Sequence, residues 1–140
     1  MSDLNLSGSC LCGSVMYEIS GESPHFFHCH CQRCRKATGT GHASNVVMRP
    51  TSVRWTAGEQ LLTYYKVPEA KRFATIFCSV CGSLMPRVAP DNSIAIIPAG
   101  TLDNDPGVKP EARIFRDSKA GWSCEAGELP FHATYPPTTG

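Results

Sequence analysis

The hydrophobic and polar residues of this chain follow a period of two over many short stretches. Around Val15, Tyr17 and Ile19 every second side chain is apolar or aromatic, which is typical of a β-strand with one buried face. Short runs rich in β-branched and aromatic residues recur at Phe26-Phe27, Ala43 to Met48, Leu61 to Tyr65, Phe73 to Phe77, Ser93 to Ile97 and Ala112 to Phe115. The pattern therefore predicts a chain built mostly from short β-strands.

Turn-forming residues separate these runs and leave little room for helices. Glycine, proline, aspartate or asparagine fills the gaps, as in Gly39-Thr40-Gly41 and Pro90-Asp91-Asn92. Only Gln32 to Thr38 favours a helical turn or two, and Gly39 would end it. Strands at such short intervals pair with their neighbours through tight turns, so we expect a mostly antiparallel β architecture.

The length of the chain is that of one domain. Its 140 residues can bury a hydrophobic core of modest size, and a hydrophobic content of 41% is typical of a globular protein. We expect a single domain over residues 1–134. The tail, residues 135–140, contains two consecutive prolines and is predicted to be loose.

Charge and hydropathy argue against two classes of partner. The net charge of +1, from 13 basic and 12 acidic residues, gives no broad attraction to nucleic acid or to an anionic membrane surface. No stretch has the length of a membrane span, and Met1 to Ser7 lack the basic and apolar parts of a secretion signal. We therefore expect a cytoplasmic protein with neither nucleic acid nor a membrane as partner.

The eight cysteines are better explained as metal ligands than as disulfides. Thiols stay reduced in the cytosol, and seven of the eight cysteines stand in closely spaced groups, as in zinc sites. Four disulfides are the alternative for a secreted chain of this kind.

Two cysteine pairs lie far apart in the chain, Cys10 with Cys12 and Cys78 with Cys81. Such a pair lets two sulfurs face one ion from a tight turn, and two pairs complete the tetrahedron of a structural zinc site. A glycine directly follows each pair and permits the backbone bend that the turn needs. We predict that these four cysteines bind a zinc ion that holds the fold together.

A third group of cysteines is local and contains only three members, Cys29, Cys31 and Cys34. Zinc with three protein ligands keeps a fourth position for a substrate, and a thiol bound there loses its proton and becomes a nucleophile. We predict a second zinc here, with these cysteines as the catalytic centre. The alternative is a second structural zinc closed by His30 or Cys124, although His30 should point away from both neighbouring cysteines and Cys124 should be a plain buried thiol.

Three basic residues accompany the local cysteines and could contact a substrate. Arg33, Arg35 and Lys36 could offset the charge of three thiolates or bind the carboxylates of an anionic thiol. The alternative is a solvated basic face of a short helix. Trp55 and Trp122 are expected in the core or in a pocket wall.

The order of these motifs resembles the glutathione-dependent formaldehyde-activating family, which includes centromere protein V. The resemblance extends from about Gly8 to Phe131. Its motifs are Cys10-Leu11-Cys12-Gly13, Cys29 to Lys36 with Gly39, Cys78-Ser79-Val80-Cys81-Gly82, Gly100-Thr101-Leu102-Asp103, and Trp122 followed by Leu129-Pro130. One position departs from the pattern: relatives often have histidine in a Pro-x-x-His-Ile setting where this chain has Arg113.

The resemblance implies a mostly β, zinc-stabilised, Mss4-like β-tent with short helical turns. It implies a structural zinc on the four-cysteine set, a catalytic zinc on the three-cysteine set, and therefore two zinc ions per chain. The implied enzyme is a carbon–sulfur lyase resembling S-(hydroxymethyl)glutathione synthase, with a small thiol and an aldehyde such as formaldehyde as partners. The alternative is a zinc-stabilised binding module or adduct carrier on the same fold. The sequence leaves the oligomeric state open.

Overall fold

The computed structural model describes residues 3–124 and 127–137, and this part of the chain is mostly β-structure, as predicted. Its strands are β1 (Leu4–Ser9), β2 (Met16–Cys29), β3 (Ala43–Ala57), β4 (Leu62–Lys66), β5 (Ala74–Cys78), β6 (Leu84–Met85), β7 (Arg87–Val88), β8 (Ala95–Pro98) and β9 (Ala112–Ile114). The α-helix α1 spans Gln32–Thr38, and short 3-10 turns span Glu59–Leu61, Ala99–Thr101 and Arg116–Ser118.

The helix α1 has the predicted bounds. Gly39 follows it in the left-handed conformation, with φ 71°, and its amide donates to the carbonyl of Arg35. Glycine adopts this conformation without the Cβ clash that other residues meet, so it ends the helix where the sequence indicated.

The strands form two sheets. The larger sheet has the order β1-β2-β3-β8-β7, with β9 beside β2, and the smaller has the order β4-β5-β6. All pairs are antiparallel except β2 with β9, which is parallel. None of the described helices is long and apolar enough to span a membrane. The domain boundary after residue 134 stays a prediction, and residues 138–140 of the tail lie outside the described residues.

Strands β2 and β3 are much longer than the runs that the sequence predicted. They form one hairpin that continues through Gly21 and Pro50, which lie opposite each other next to a register shift. A bulge tolerates proline because it disrupts the ladder locally. Gly21 is required there because a Cβ would lie 2.6 Å from the carbonyl oxygen of Arg49. At Gly21 and Pro50 the structure has bends within continuous strands, whereas the sequence pattern treats glycine and proline as signs of a strand end.

The main core lies on one face of the larger sheet. Side chains that alternate along β2, β3 and β8 meet there, and the most buried of them are Tyr17, Ile19, Val46, Met48 and Ile97. Burying a side chain of this size stabilises the fold by about 1.5–3 kcal/mol. The opposite face of the same strands lines a cavity.

The short strand β1, which the sequence did not predict, is held in place by close packing. Gly8 lies against the ring of Tyr17, whose hydroxyl is 2.7 Å from the Oγ1 of Thr101. Burial raises the pKa of Tyr17 to about 12. The amide of Asp103 donates to the carbonyl of Ser7 at 2.8 Å. The Gly-Thr-Leu-Asp motif therefore fastens β1 to the sheet.

We expect Gly8→Ala to destabilise the protein by roughly 1–3 kcal/mol, because a Cβ forces its packed neighbours to move. That Cβ would lie 2.3 Å from the Oη of Tyr17 and 2.6 Å from the carbonyl oxygen of Thr101. Urea unfolding measures the change. Gly100→Ala is the matched control, because a Cβ there meets no atom within 4 Å. Equal stability of the two variants would contradict this packing.

Candidate functional site

Four cysteine sulfurs converge between the two sheets. Cys10 and Cys12 lie in the turn between β1 and β2, while Cys78 and Cys81 lie at the end of β5 and in the turn that follows it. All four sulfurs lie within 4.8 Å of one another. The structure therefore brings together the two pairs that the sequence assigned to one ion.

The geometry of this cluster fits a tetrahedral metal ion. The Sγ atom of Cys12 is 3.6 Å from that of Cys10 and 3.9 Å from that of Cys78. Two sulfurs bound to one zinc at about 2.3 Å lie roughly 3.8 Å apart, whereas disulfide sulfurs are bonded at about 2.05 Å. The amide of Val15 approaches the sulfur of Cys10, and the amide of Val80 approaches that of Cys78. Both amides help to compensate the charge of a thiolate.

Glycine shapes both turns of the four-sulfur cluster, as the sequence indicated. Gly13 and Gly82 have φ values of 79° and 80°, and their amides donate to the carbonyls of Cys10 and Cys78. Hydrogen bonds with the side chain and then the backbone of Ser83, together with contacts to Cys12 and Cys10, lower the pKa of Cys81 to about 5. This thiol is therefore readily available as the thiolate that a metal binds.

The three local cysteines meet where β2 passes into α1. Cys29 is the last residue of β2, Cys31 caps the helix, and Cys34 lies in its first turn. The sulfur of Cys31 accepts a hydrogen bond from the amide of Cys34 at 3.3 Å. The three sulfurs lie within 4.8 Å of one another, so they could hold a metal ion together.

The local cysteines lie in a protected environment. Cys29 and Cys34 are buried, and Cys31 is partly exposed. Burial raises the pKa of Cys29 and strongly raises that of Cys34. Without a cation these two thiols favour the neutral form, so a metal ion that binds them must displace their protons.

Neither candidate for a fourth ligand belongs to this three-sulfur group in the described part of the chain. His30 is fully buried, and its Nε2 atom is 3.3 Å from the Nη1 atom of Arg113. Cys124 is exposed, so the expectation of a buried thiol was wrong. Trp122 is 71% exposed and is no core residue, whereas Trp55 packs edge-on against Tyr17 as expected of a core aromatic. Cys124 and Trp122 thus both lie outside the buried core, and a pocket wall for Trp122 stays a prediction.

A histidine cluster lies on the other face of the sheet from Cys29. His28 precedes Cys29 in β2 and so points to the opposite face, where its ring stacks on His42 with centroids 4.0 Å apart. His28 also pairs with Arg113 across the parallel strands. Burial, and then the charge of neighbouring groups, lowers the pKa of both His28 and His42. These imidazoles therefore favour the neutral form.

A cavity of about 440 Å³ opens beside the three-sulfur group. The outer face of the larger sheet forms its floor. Phe27 and Cys29 are two residues apart on β2 and so share this face, and Asn45 lies opposite Phe27 on β3. Phe73, directly before β5, lines the cavity from the side of the smaller sheet. A second cavity of about 270 Å³ adjoins it and shares Cys34 and Phe73.

The predicted basic residues have different positions relative to these spaces. Arg33 is exposed and lines the cavity beside the sulfurs. Arg33 and Lys36 also line a neighbouring surface cavity of about 480 Å³. Arg35 lines none of the three, and its Nε atom is buried without a hydrogen-bond partner among the described residues.

Sequence reasoning missed Arg87, a basic residue at the centre of the site. Its side chain lines both cavities, stacks on the ring of Phe73 with its Cζ 5.2 Å from the centroid, and donates to the carbonyl of Ala74. Burial lowers the pKa of Arg87, while the nearby Cys34 raises it. The available signal was a single charge within the apolar run from Leu84 to Val88.

Comparison with known proteins agrees with this architecture. A search of curated proteins finds no match. Among solved structures, the chain is similar to a Rhodobacter sphaeroides structural-genomics target, with 22% identity, a TM-score of 0.56, and coverage of 77% of this chain and 98% of that chain. At this identity the likeness concerns the fold alone.

The family profile described as glutathione-dependent formaldehyde-activating enzyme matches residues 5–118. The match includes both groups of cysteines, and the mostly antiparallel sheets confirm the Mss4-like fold expected from the resemblance. Since the profile covers most of the chain, the protein belongs to the glutathione-dependent formaldehyde-activating enzyme family.

Proposed function

We propose that this protein is a zinc-dependent carbon–sulfur lyase. Its substrate is the adduct of a small thiol, glutathione or a similar molecule, with an aldehyde such as formaldehyde. The observation that carries the proposal is the group of three sulfurs on the wall of a cavity, in a chain of this family.

We assign two zinc ions to the chain. The four-sulfur cluster holds a structural ion, since it uses a full set of protein ligands. Cys29, Cys31 and Cys34 hold the second ion. Bound there, zinc supplies the acidity that converts a thiol into a nucleophilic thiolate at neutral pH. The second site could lose its ion during purification, because three local ligands hold it less firmly than four.

The basic residues around the cavity suit an anionic thiol. Glutathione carries two carboxylates, and Arg33 and Lys36 present positive charge at the surface near the sulfurs. Arg87 lies deeper, beside Cys34. Three thiolates and one divalent ion have a net charge of −1, which Arg87 offsets. We therefore assign carboxylate binding to Arg33 and Lys36, and charge compensation to Arg87.

In the direction of adduct formation, which is the reverse of cleavage, the reaction joins thiol and aldehyde without any change of oxidation state. The thiol sulfur forms a bond to the carbonyl carbon, and the electron pair of the C=O π-bond moves to oxygen. The oxygen takes up one proton, equal to the one that the thiol lost. In this chain the sheet face and Phe73 line the cavity beside the reacting atoms.

A zinc-stabilised binding module is the second candidate. It requires a closed metal site at the local cysteines, whereas the described residues bring only three ligand atoms together there. This difference favours the enzyme. An adduct carrier would share the thiol-binding step but would not accelerate formation or cleavage of the carbon–sulfur bond.

We expect the two cysteine groups to differ in their effect on folding. Cys78→Ser should give insoluble or unfolded protein, because metal binding of this kind contributes on the order of 10 kcal/mol to folding. Cys31→Ser should fold, since its site closes almost no chain loop. Thermal melting and bound zinc per chain measure both effects. Similar melting of the two variants would refute the assignment of roles.

We expect a thiol to bind at the three-sulfur site. In cobalt-substituted protein, glutathione should change the sulfur-to-metal charge-transfer band, and in zinc protein it should release protons into a weakly buffered solution. Cys31→Ser should abolish both signals while leaving the fold intact. Should millimolar glutathione and mercaptoethanol both leave the cobalt spectrum unchanged, the enzyme proposal fails and the binding module becomes the better account.

We expect Arg33→Ala to weaken the binding of glutathione on the order of fivefold and to spare mercaptoethanol, which has no carboxylate. Cobalt titrations with both thiols measure the ratio. Arg54→Ala is the matched control, because Arg54 is an exposed arginine that pairs with Glu18 away from the cavity. Equal losses for the two thiols would remove Arg33 from carboxylate binding.

A further inference from the structure

The cavity beside the three-sulfur group has more apolar wall than glutathione and formaldehyde can use. Its volume is about 440 Å³, in the range of sites for small organic ligands. Its apolar lining consists of Phe27, Val47, Phe73, Ile96, Ile114 and Phe115. Glutathione is a zwitterionic peptide and formaldehyde has no side group. Neither offers the apolar surface whose burial against these side chains would be favourable.

The apolar wall begins next to the reacting sulfurs. Phe27 precedes Cys29 by two residues on the same strand, so both point to the same face about 7 Å apart along the strand. Ile114 is the register partner of Cys29 on β9. A substituent on the carbon that bonds to the substrate sulfur therefore enters a cavity whose wall includes Phe27 and Ile114.

Phe115 extends this wall in an unusual backbone conformation. It has φ 54° and ψ 40°, the left-handed region, which bulky side chains rarely adopt. The chain turns at this residue directly after β9, and the ring lines the cavity while remaining 64% exposed. Backbone strain of this kind concentrates at ligand sites, where it is part of how the site is built. An exposed ring at the mouth of a cavity offers surface that a ligand can bury.

We propose that the aldehyde partner carries an apolar substituent, preferably an aryl group, and that Phe115 forms the outer wall of its pocket. This inference rests on the proposed function and names its substrate class. The thiol sulfur bonds to the carbonyl carbon of the aryl-substituted aldehyde, and the oxygen takes up one proton. No oxidant or reductant takes part. The aryl group lies between Phe27, Ile114 and Phe115.

Unreactive thioethers test the pocket without depending on catalysis. S-benzylglutathione and S-methylglutathione differ only in the group on sulfur, and calorimetry gives the dissociation constant of each for the zinc-loaded protein. We expect the benzyl compound to bind at least about tenfold more tightly, because its ring leaves water for an apolar pocket with aromatic walls. Equal affinities, or no binding of either compound, would overturn the inference.

Two variants at position 115 distinguish the effect of the Phe115 ring from the effect of its backbone conformation. Phe115→Ala removes the ring, and Phe115→Gly also relieves the left-handed backbone, so the second should fold even if the first does not. Both should reduce the preference for the benzyl compound to about threefold or less, since an outer wall is lost. Phe131→Ala, at a 95% exposed phenylalanine of the C-terminal segment, is the control and should keep the full preference. An unchanged preference in both Phe115 variants would overturn the assigned wall.

Rates distinguish failure of this inference from failure of the proposed function. Adduct exchange of glutathione with phenylacetaldehyde and with formaldehyde is followed by NMR magnetisation transfer, with and without protein. Acceleration of the formaldehyde reaction alone, together with equal thioether affinities, would overturn the aryl pocket and leave the enzyme in place. A strong benzyl preference without acceleration of either reaction would support the pocket and overturn the lyase.

Discussion

Four sulfurs from two distant turns determine how the sheets of this protein meet. Cys12 and Cys78 are separated by 66 positions, and closing a loop of that length costs about 4 kcal/mol of chain entropy. Cys10 and Cys78 are themselves part of the main core, so the cluster is continuous with packed apolar side chains. A metal ion bound there would tie the end of β5 to the turn between β1 and β2. Phe73, directly before β5, then faces the local cysteines across the cavity.

At one end of the larger sheet, the alternation of side chains along β2 places a cysteine and a histidine on opposite faces. Cys29 faces the cavity, whereas His28 faces the histidine cluster, although the two residues are adjacent in the chain. The imidazole of His28 therefore lies across the sheet from the sulfur of Cys29, while His42 lines the second cavity together with Cys34. Burial, and then the charges of a neighbouring histidine and of Arg113, lower the pKa of His28 and of His42. His30, which strand alternation predicted to point away from its neighbouring cysteines, contacts Arg113 and does not join the three-sulfur group.

The close spacing within each cysteine group could be recognised in the sequence because it is local information, and the helix could be predicted because Gly39 ends it. The full lengths of β2 and β3 could not be predicted from the sequence. Gly21 and Pro50 carry the same local signal in a bulge as at a strand end, and only cross-strand packing distinguishes the two. Arg87 and Phe115 reach the site through long-range pairing of β7 and β9, which no local pattern contains. The sequence thus indicated which cysteines group together but not the pocket around them.

The buried cation beside the three cysteines is Arg87, and an arginine suits this position better than a lysine would. Arg87 loses hydration where it lies, and burial lowers its pKa, yet a guanidinium keeps its charge under conditions where a buried ammonium would lose it. Its planar face also stacks on Phe73, which a lysine could do less well. A negative charge on Cys34 favours the charged form of Arg87. The stacking of Arg87 on Phe73 places both side chains in the wall of the cavity.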